Sequence, residues 1–330
     1  MSKACEPLVN ISTSGDPDLA VVAVGKFGED ARYAVETVDA LDPPKSRQQK
    51  WIINLSTQFG CPVGCPMCDA AGAYHGDLSA KQMLAQVSWA LARHPGMAAT
   101  CAKLKVHFSR MGEPALNDAV CQALIDLPSL VKSPGLMACV ATVAPKGRKD
   151  WFARLLEIQR RLYPKRFQLQ LSVQSTDAAA RRRLIPIPHL DLDELSSLGL
   201  TFHETNGRKP VLNFALAEDA PFDPMVLSRH FDSKHFAVKL TPINPTARSE
   251  QHGLRTRLRS ETEAEVDDAI ERLRNMNYDV IRSVGDPKED EIGSNCGQTL
   301  RMILGRTQTT INRPANPTRP PPSAGNRMGA

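Results

Sequence analysis

The sequence predicts an α/β protein: a partial, six-stranded parallel (β/α)6 barrel with a short β-rich extension before it and a disordered tail after it. Three observations lead there. Short apolar or alternating runs recur from Trp51 onward, with amphipathic helix-length stretches between them. A loop rich in cysteine, glycine and proline follows the first of these runs, where parallel barrels carry their chemistry. The C-terminal stretch is rich in proline and polar residues and cannot build a packed core. The expected division is therefore 1–50, 51–300 and 301–330.

Within 1–50, Ala20 to Val24 is an apolar run and Tyr33 to Val38 reads as a second strand; Asp42-Pro43-Pro44-Lys45-Ser46 then breaks the chain. Trp51 to Leu55 is the first core strand. Ser79 can cap a helix from Ala80 to His94, with Met83, Val87, Ala90 and Leu91 on one face. Leu104 to Phe108 alternates as a strand should, and Asn117 can start a helix through Ile125. Leu136 to Thr142 is the third strand. A helix over Arg148 to Leu162 shows Phe152, Leu155, Leu156 and Ile158 on its apolar side. Phe167 to Val173, Pro210 to Leu216 and Phe236 to Leu240 complete the six strands, with a short helix over Pro224 to His230. A charged amphipathic helix over Glu261 to Met276 and a last strand over Tyr278 to Arg282 follow.

With 330 residues, 42% of them apolar, the chain can bury one large core or two modest ones, and no apolar run is long enough to cross a membrane. Eight cysteines without the apolar core of a signal peptide fit a reducing cytoplasm, where thiols act as ligands or reagents. The net charge is +5, and Arg301, Arg306, Arg313, Arg319 and Arg327 lie in a tail without acids. Removing those five leaves the rest of the chain balanced, which gives nucleic-acid binding only modest support. Aromatic residues are 5% of the chain, too few for a platform on which single strands stack.

Cys61-Pro62-Val63-Gly64-Cys65-Pro66-Met67-Cys68 sets three thiols in a C-x3-C-x2-C spacing. A structural zinc site wants four ligands, and His75 lies farther away than zinc pairings usually allow. A disulfide would strain so tight a loop. The spacing suits a [4Fe–4S] cluster bound by three cysteines, leaving one iron open to another ligand. After the second strand, Met111-Gly112-Glu113-Pro114 offers a backbone that a ligand can approach closely and a carboxylate that can accept from an ammonium. Ser172-Val173-Gln174 and Asn244-Pro245 stand at strand ends.

The triad of cysteines resembles the signature of radical SAM enzymes, in which the open iron chelates S-adenosylmethionine and reduces it to a deoxyadenosyl radical. The order of all the pieces resembles one branch, the ribosomal-RNA adenine methyltransferases and their antibiotic-resistance relatives. Gln58-Phe59-Gly60-Cys61, Gly112-Glu113-Pro114, Ser172-Val173-Gln174, Asn244-Pro245 and Asn295-Cys296-Gly297-Gln298 carry the likeness over roughly residues 33 to 302. It implies that Cys61, Cys65 and Cys68 bind the cluster and that Gly112, Glu113, Ser172, Gln174 and Asn244 line the S-adenosylmethionine site. It implies that Cys296 first accepts the methyl group, and that Glu36, in Val35-Glu36-Thr37-Val38, is the proton acceptor. RNA, ribosomal or transfer, and an electron donor such as flavodoxin or ferredoxin are the implied partners.

The chain departs from this pattern in several places. The family's second catalytic cysteine falls on Asn54, whose amide cannot act as a thiolate or form a disulfide. Cys139, on the third core strand, is the best-placed replacement thiol. Gln174 stands where the family has histidine, and Met67 where an aromatic is common. The helical RNA-recognition domain that precedes the family's core is expected to be missing. Two further readings stay open: a radical SAM enzyme acting on a small molecule or peptide without the cysteine relay, and a non-catalytic iron–sulfur protein that binds RNA.

Overall fold

A computed structural model of the chain describes residues 7–258, 263–284, 292 and 297–303; Cys296 and the tail from 304 lie outside the described residues. Three antiparallel strands, β1 (Val9–Asp16), β2 (Ala20–Lys26) and β3 (Ala34–Ala40), lead into seven parallel ones. These are β4 (Trp51–Leu55), β5 (Leu104–Phe108), β6 (Leu136–Thr142), β7 (Phe167–Ser172), β8 (Val211–Leu216), β9 (Ala237–Pro242) and β10 (Asp279–Arg282). All ten form one sheet in chain order. The parallel run is thus one strand longer than the expected six, because β10 pairs with β9 from Asp279 opposite Ala237. The 1–50 segment shares this sheet: β3 runs antiparallel to β4, with Val38 opposite Asn54.

Strand alternation gives each face its character. On β4 and β5, Trp51, Ile53, Leu55, Leu104, Val106 and Phe108 are fully buried in the main hydrophobic core. Their neighbours Ile52, Asn54, Lys105 and His107 face the other way and line the barrel interior. The outer face is covered by helices, beginning with α1 (Ala80–Arg93). Ser79 caps it by accepting from Gln82 N–H at 3.2 Å, while the Gln82 side chain accepts from Ser79 N–H at 2.9 Å. Met83, Val87 and Ala90 point inward from α1, and burial of a side chain the size of Met83 or Val87 contributes about 1.5–3 kcal/mol. After a single turn, α2 (Met97–Thr100), the helices α3 (Ala119–Leu130) and α4 (Lys149–Leu162) continue the layer.

Between β7 and β8 lie two helices that apolar periodicity alone did not reveal, α5 (Ala178–Leu184) and α6 (Leu192–Asn206), both capped by aspartates. The expected short helix is α7 (Pro224–His230); a one-turn helix, α8 (Ala247–Gln251), follows β9, and α9 (Glu263–Asn275) precedes β10. Among the described residues, no helix is long and apolar enough to cross a membrane.

The seam between extension and core is held by Asp39, whose side chain is fully buried. It accepts from Trp51 Nε1 at 2.7 Å, from Arg93 Nε at 3.1 Å and from Arg47, with His94 Nε2 at 2.7 Å. Removing one member of so buried a group strands the others' charge. Asp39→Ala is expected to cost about 3–5 kcal/mol, read as a lower denaturant midpoint in equilibrium unfolding. A loss below about 1 kcal/mol would mean that the group behaves as a solvated surface pair.

Candidate active site at the ends of the parallel strands

The cysteine loop leaves the C-terminal end of β4 and closes on itself. At its root the Gln86 side chain accepts from Ser56 N–H at 2.9 Å and donates to Ser56 C=O at 3.0 Å. Leu78 N–H then bonds Thr57 C=O at 3.1 Å, Phe59 N–H bonds Gly76 C=O at 2.9 Å and His75 N–H bonds Phe59 C=O at 2.8 Å. Gly60 is obligatory in this closure. Its φ is +79°, and a Cβ there would lie 1.6 Å from Ala73 C=O. The Asn117 amide spans the neck, donating to Thr57 C=O at 2.7 Å and to Leu78 C=O at 2.8 Å.

Cys61, Cys65 and Cys68 sit at the tip, each partly exposed and none in a disulfide. Burial pushes the Cys65 thiol up to about 12, with added repulsion from Cys61 and Glu113. Thiolates collect here only if a multivalent cationic centre replaces their protons, which is the demand an iron–sulfur cluster meets. Among the described residues, no three histidine, cysteine or acidic groups converge on a point that would hold one ion. A cubane takes its ligands at separate corners, so its cysteines stand farther apart than those around one zinc. The donor set therefore fits a cluster.

The turn after β5 packs directly on the root of this loop. Thr57 N–H donates to Met111 C=O at 2.7 Å, and Glu113 N–H donates to the Gln58 side chain at 2.8 Å. Gly112 has φ +96°, and a Cβ would come within 2.6 Å of Thr57 Oγ1 and 2.7 Å of Gln58 Cβ. The close approach that demands glycine is thus made by the chain itself. The Glu113 carboxylate accepts from Ala115 N–H at 3.0 Å, Val143 N–H at 2.9 Å and the Thr142 hydroxyl. A carboxylate has about four acceptor positions, so one remains for an incoming donor. Burial raises its pKa from 4.5 to about 7 despite those bonds.

Ser172 ends β7 opposite Asn213. Gln174 adopts a left-handed φ of +68°, and its side-chain oxygen accepts from Ala215 N–H at 2.8 Å. Asn244 follows β9, and its carbonyl accepts from Thr246 N–H at 2.8 Å and Ser249 Oγ at 2.9 Å. That turn reaches back to the cysteine loop. Thr246 Oγ1 donates to Met67 C=O at 3.0 Å, and Arg248 Nη2 to Gly64 C=O at 3.4 Å. Asp69, just past Cys68, accepts from Arg248 N–H at 2.9 Å, Ala247 N–H at 3.3 Å and Arg301 Nη1 at 3.1 Å. The glycine turn and the Asn244 turn thus both reach the cysteine loop, while Ser172 and Gln174 stand at the end of β7 beside β8.

Glu36 lies at the inner end of this assembly, fully buried. Its carboxylate pairs with Arg110 at 2.8 Å and accepts from Gly297 N–H at 2.8 Å and Leu300 N–H at 2.7 Å. It therefore caps the helical turns over 298–303. Gly297, which follows Cys296, has φ +80°, and a Cβ there would stand 2.2 Å from Ala70 N. The residue after Cys296 thus rests on the backbone two positions past Cys68. Asn54, His107, Cys139 and Gln168 are register partners across β4 to β7, so Cys139 faces the same side as Asn54. Burial raises the Cys139 thiol pKa.

Asp69, Gln86 and Arg248 position the site but stand in no motif, and Asn117 closes the Gly112-Glu113-Pro114-Ala115-Leu116-Asn117 run; the partners of all four lie far away in sequence. The capping pattern of Asn117 was the one trace that could be seen beforehand.

The raised Glu113 carboxyl has a measurable consequence. The folded state keeps a proton that the unfolded chain releases, so the stabilisation is full below about pH 4.5 and is lost as pH rises toward 7. Glu113→Gln cannot titrate. Urea unfolding of metal-free protein is expected to show the variant gaining on the wild type across that window; a constant difference would mean that the carboxylate stays ionised.

No family model matches the chain. It is 32% identical over 238 residues to a probable RNA methyltransferase of Thiobacillus denitrificans, covering 69% of this chain and 61% of that protein. A probable RNA methyltransferase of Dechloromonas aromatica is 28% identical over 277 residues, covering 76% and 73%. A probable dual-specificity RNA methyltransferase RlmN of Frankia casuarinae is 28% identical over 270 residues, covering 78% and 60%. The chain thus spans about three fifths of the length of the first and third of these relatives. A crystal structure of a radical SAM methyltransferase from Sphaerobacter thermophilus superposes with a TM-score of 0.69 at 20% identity, covering 88% of this chain and 81% of that one, and so shares the fold. With its three-cysteine loop at the end of the first parallel strand, the chain is similar in sequence to these probable RNA methyltransferases and shares the fold of a radical SAM methyltransferase.

Proposed function

We propose that the protein is a radical SAM methyltransferase that passes a one-carbon unit through Cys296 to an sp2 carbon, an adenine of RNA. The observation that carries this reading is the contact of Gly297, next to Cys296, with the backbone just past Cys68. Cys61, Cys65 and Cys68 would hold a [4Fe–4S] cluster, and Gly112, Glu113, Ser172, Gln174 and Asn244 would line the place of S-adenosylmethionine. Bound there, these groups supply one-electron chemistry and an activated methyl group. An electron donor of the flavodoxin or ferredoxin type and a cytoplasmic setting belong to the same reading.

The chain's own residues then have separate tasks. Cys296 offers a thiolate to the methyl carbon. Glu113 keeps one acceptor position for an ammonium. Glu36, tied to Arg110 and to two N–H groups of 297–300, acts by fixing the segment that carries the thiol. Asn54 favours a second reading, because its amide cannot release a product by disulfide formation. In that reading radical chemistry acts on a small molecule or peptide without the relay.

Mass spectrometry of protein made in cells is expected to find a methyl group on Cys296, and its absence selects the second reading. Anaerobic reconstitution with S-adenosylmethionine and a reductant is expected to release deoxyadenosine; no release would leave an iron–sulfur binding protein. Asn54→Cys is expected to raise turnover on RNA if the missing thiol limits it, whereas unchanged turnover points to a different acceptor.

A further inference from the structure

The interior of the barrel holds a cavity of about 770 Å³, within the size range of small-molecule sites. It extends from the N-terminal ends of the parallel strands up to the level of Asn54 and His107. Its charge is one-sided. Lys50, Lys103, Lys105, Arg208 and Lys239 line it, with His107 at the inner end. Among the described lining residues the one carboxylate is Asp42, and it is already held by Lys45 at 2.7 Å and Lys50 at 2.8 Å. A further lining cation, Arg282, is paired outside the cavity with Asp267 at 2.6 Å and with Glu263.

Lys103 lies within electrostatic reach of Lys105 and Arg208, and Arg208 also donates to the Gln168 side chain at 3.1 Å. Lys103 has its pKa lowered by burial and then by Arg208, Lys50, Lys105 and Lys45. His107 is held neutral by burial, with Lys105 and Lys239 adding to the effect. Two ring or guanidinium nitrogens, His107 Nε2 and Arg208 Nε, are buried without a hydrogen-bond partner. Such groups are costly to bury unless something satisfies them. Mutual repulsion among ammonium groups in a partly closed space is relieved by a bound anion.

Strand geometry sets the scale of that anion. Lys103, just before β5, and Lys105 on it are two residues apart in extended chain, so their positions are about 7 Å apart, a span that one or two phosphates fill. Beyond them the wall changes character. The side chains of Asn54 and Gln170 carry amides that face the cavity, and amides of this kind pair with the edge of a purine.

We propose that the barrel interior binds a phosphate-bearing ligand of nucleotide size, its phosphates among Lys103, Lys105, Arg208 and Lys239 and its base toward Asn54 and Gln170. Asn54 then serves as a binding residue at the position where a catalytic thiol is missing. This binding is independent of any methyl relay through Cys296.

Titration calorimetry on the full chain with pyrophosphate, ADP, adenosine and a short adenine-containing RNA tests it. ADP and pyrophosphate are expected to bind and to compete with each other, adenosine about tenfold or more weaker, with affinity falling as salt rises. Lys103→Gln with Lys105→Gln is expected to lose about tenfold or more in ADP affinity, while the Arg replacements retain it. Asn54→Ala is expected to weaken ADP but leave pyrophosphate unchanged. RNA that binds and is displaced by pyrophosphate identifies a strand's phosphates as the source. Thermal melts show whether each variant is folded; for one that is not, the Arg pair and the competition experiment carry the test. Failure of ADP, pyrophosphate and RNA to bind at about 1 mM, or binding indifferent to folded Gln variants, overturns the proposal.

Discussion

Everything at the C-terminal ends of the strands depends on the cysteine loop closing before it binds anything. Three thiols add nothing to folding until a centre joins them, and an open loop of this length would carry a closure entropy that the centre alone would have to offset. The chain avoids this with backbone pairing at 57–78 and 59–76, the Asn117 amide across the neck and the Gln86 side chain at the root. Gly60 and Gly112 follow from the same constraint, since each lies where another strand of backbone or a side chain occupies the space of a Cβ. The glycines that look like ligand contacts in sequence first serve the loop's own packing.

Charge is handled in two opposite ways. Glu36, Asp39 and Asp69 are buried carboxylates, each met by arginine and by N–H donors, and each joins segments remote in sequence. Glu36 ties the extension to 297–300, and Asp69 ties the cysteine loop to α8 and to Arg301. Among the described residues that line the barrel interior the balance is reversed, with several cations and one carboxylate that is already paired. A chain whose body is neutral on average can therefore hold a strongly basic interior. Net charge located by segment does not reveal this, because strand alternation brings together lysines from β5 and β9.

The legible parts of the fold were those with a local cause. The Ser79 cap, the apolar faces of α1 and α4 and the alternation of β5 each lie within one segment, and each stands where the sequence places it. Missed elements had weaker local signals. Strand β1 is polar and mostly exposed and is held by pairing with β2. Helix α6 has the Asp191–Glu194 capping box and Gly207 after its end, signals present in the sequence but outweighed there by its polar surroundings. The cysteine motif was legible because its spacing is its chemistry. Asn117, Asp69 and the Glu36–Arg110 pair were not, because their meaning lies in partners that only the fold supplies.

Asn54 shows how far such a reading extends. A thiol absent from one strand could be replaced by another on the same face, and Cys139 does share the row of Asn54 and His107. One strand intervenes, however, which sets the two positions about 10 Å apart. Burial also holds the Cys139 thiol toward its protonated form, the wrong state for an attacking group. Cys139 thus stands in the same row as Asn54 but two strands away, with its thiol held protonated. What the row does present is an amide, an imidazole with a buried unpartnered nitrogen and a second amide at Gln168, above a group of lysines. Such a wall recognises a ligand by hydrogen bonds and charge, and the replacement at residue 54 is consistent with that use.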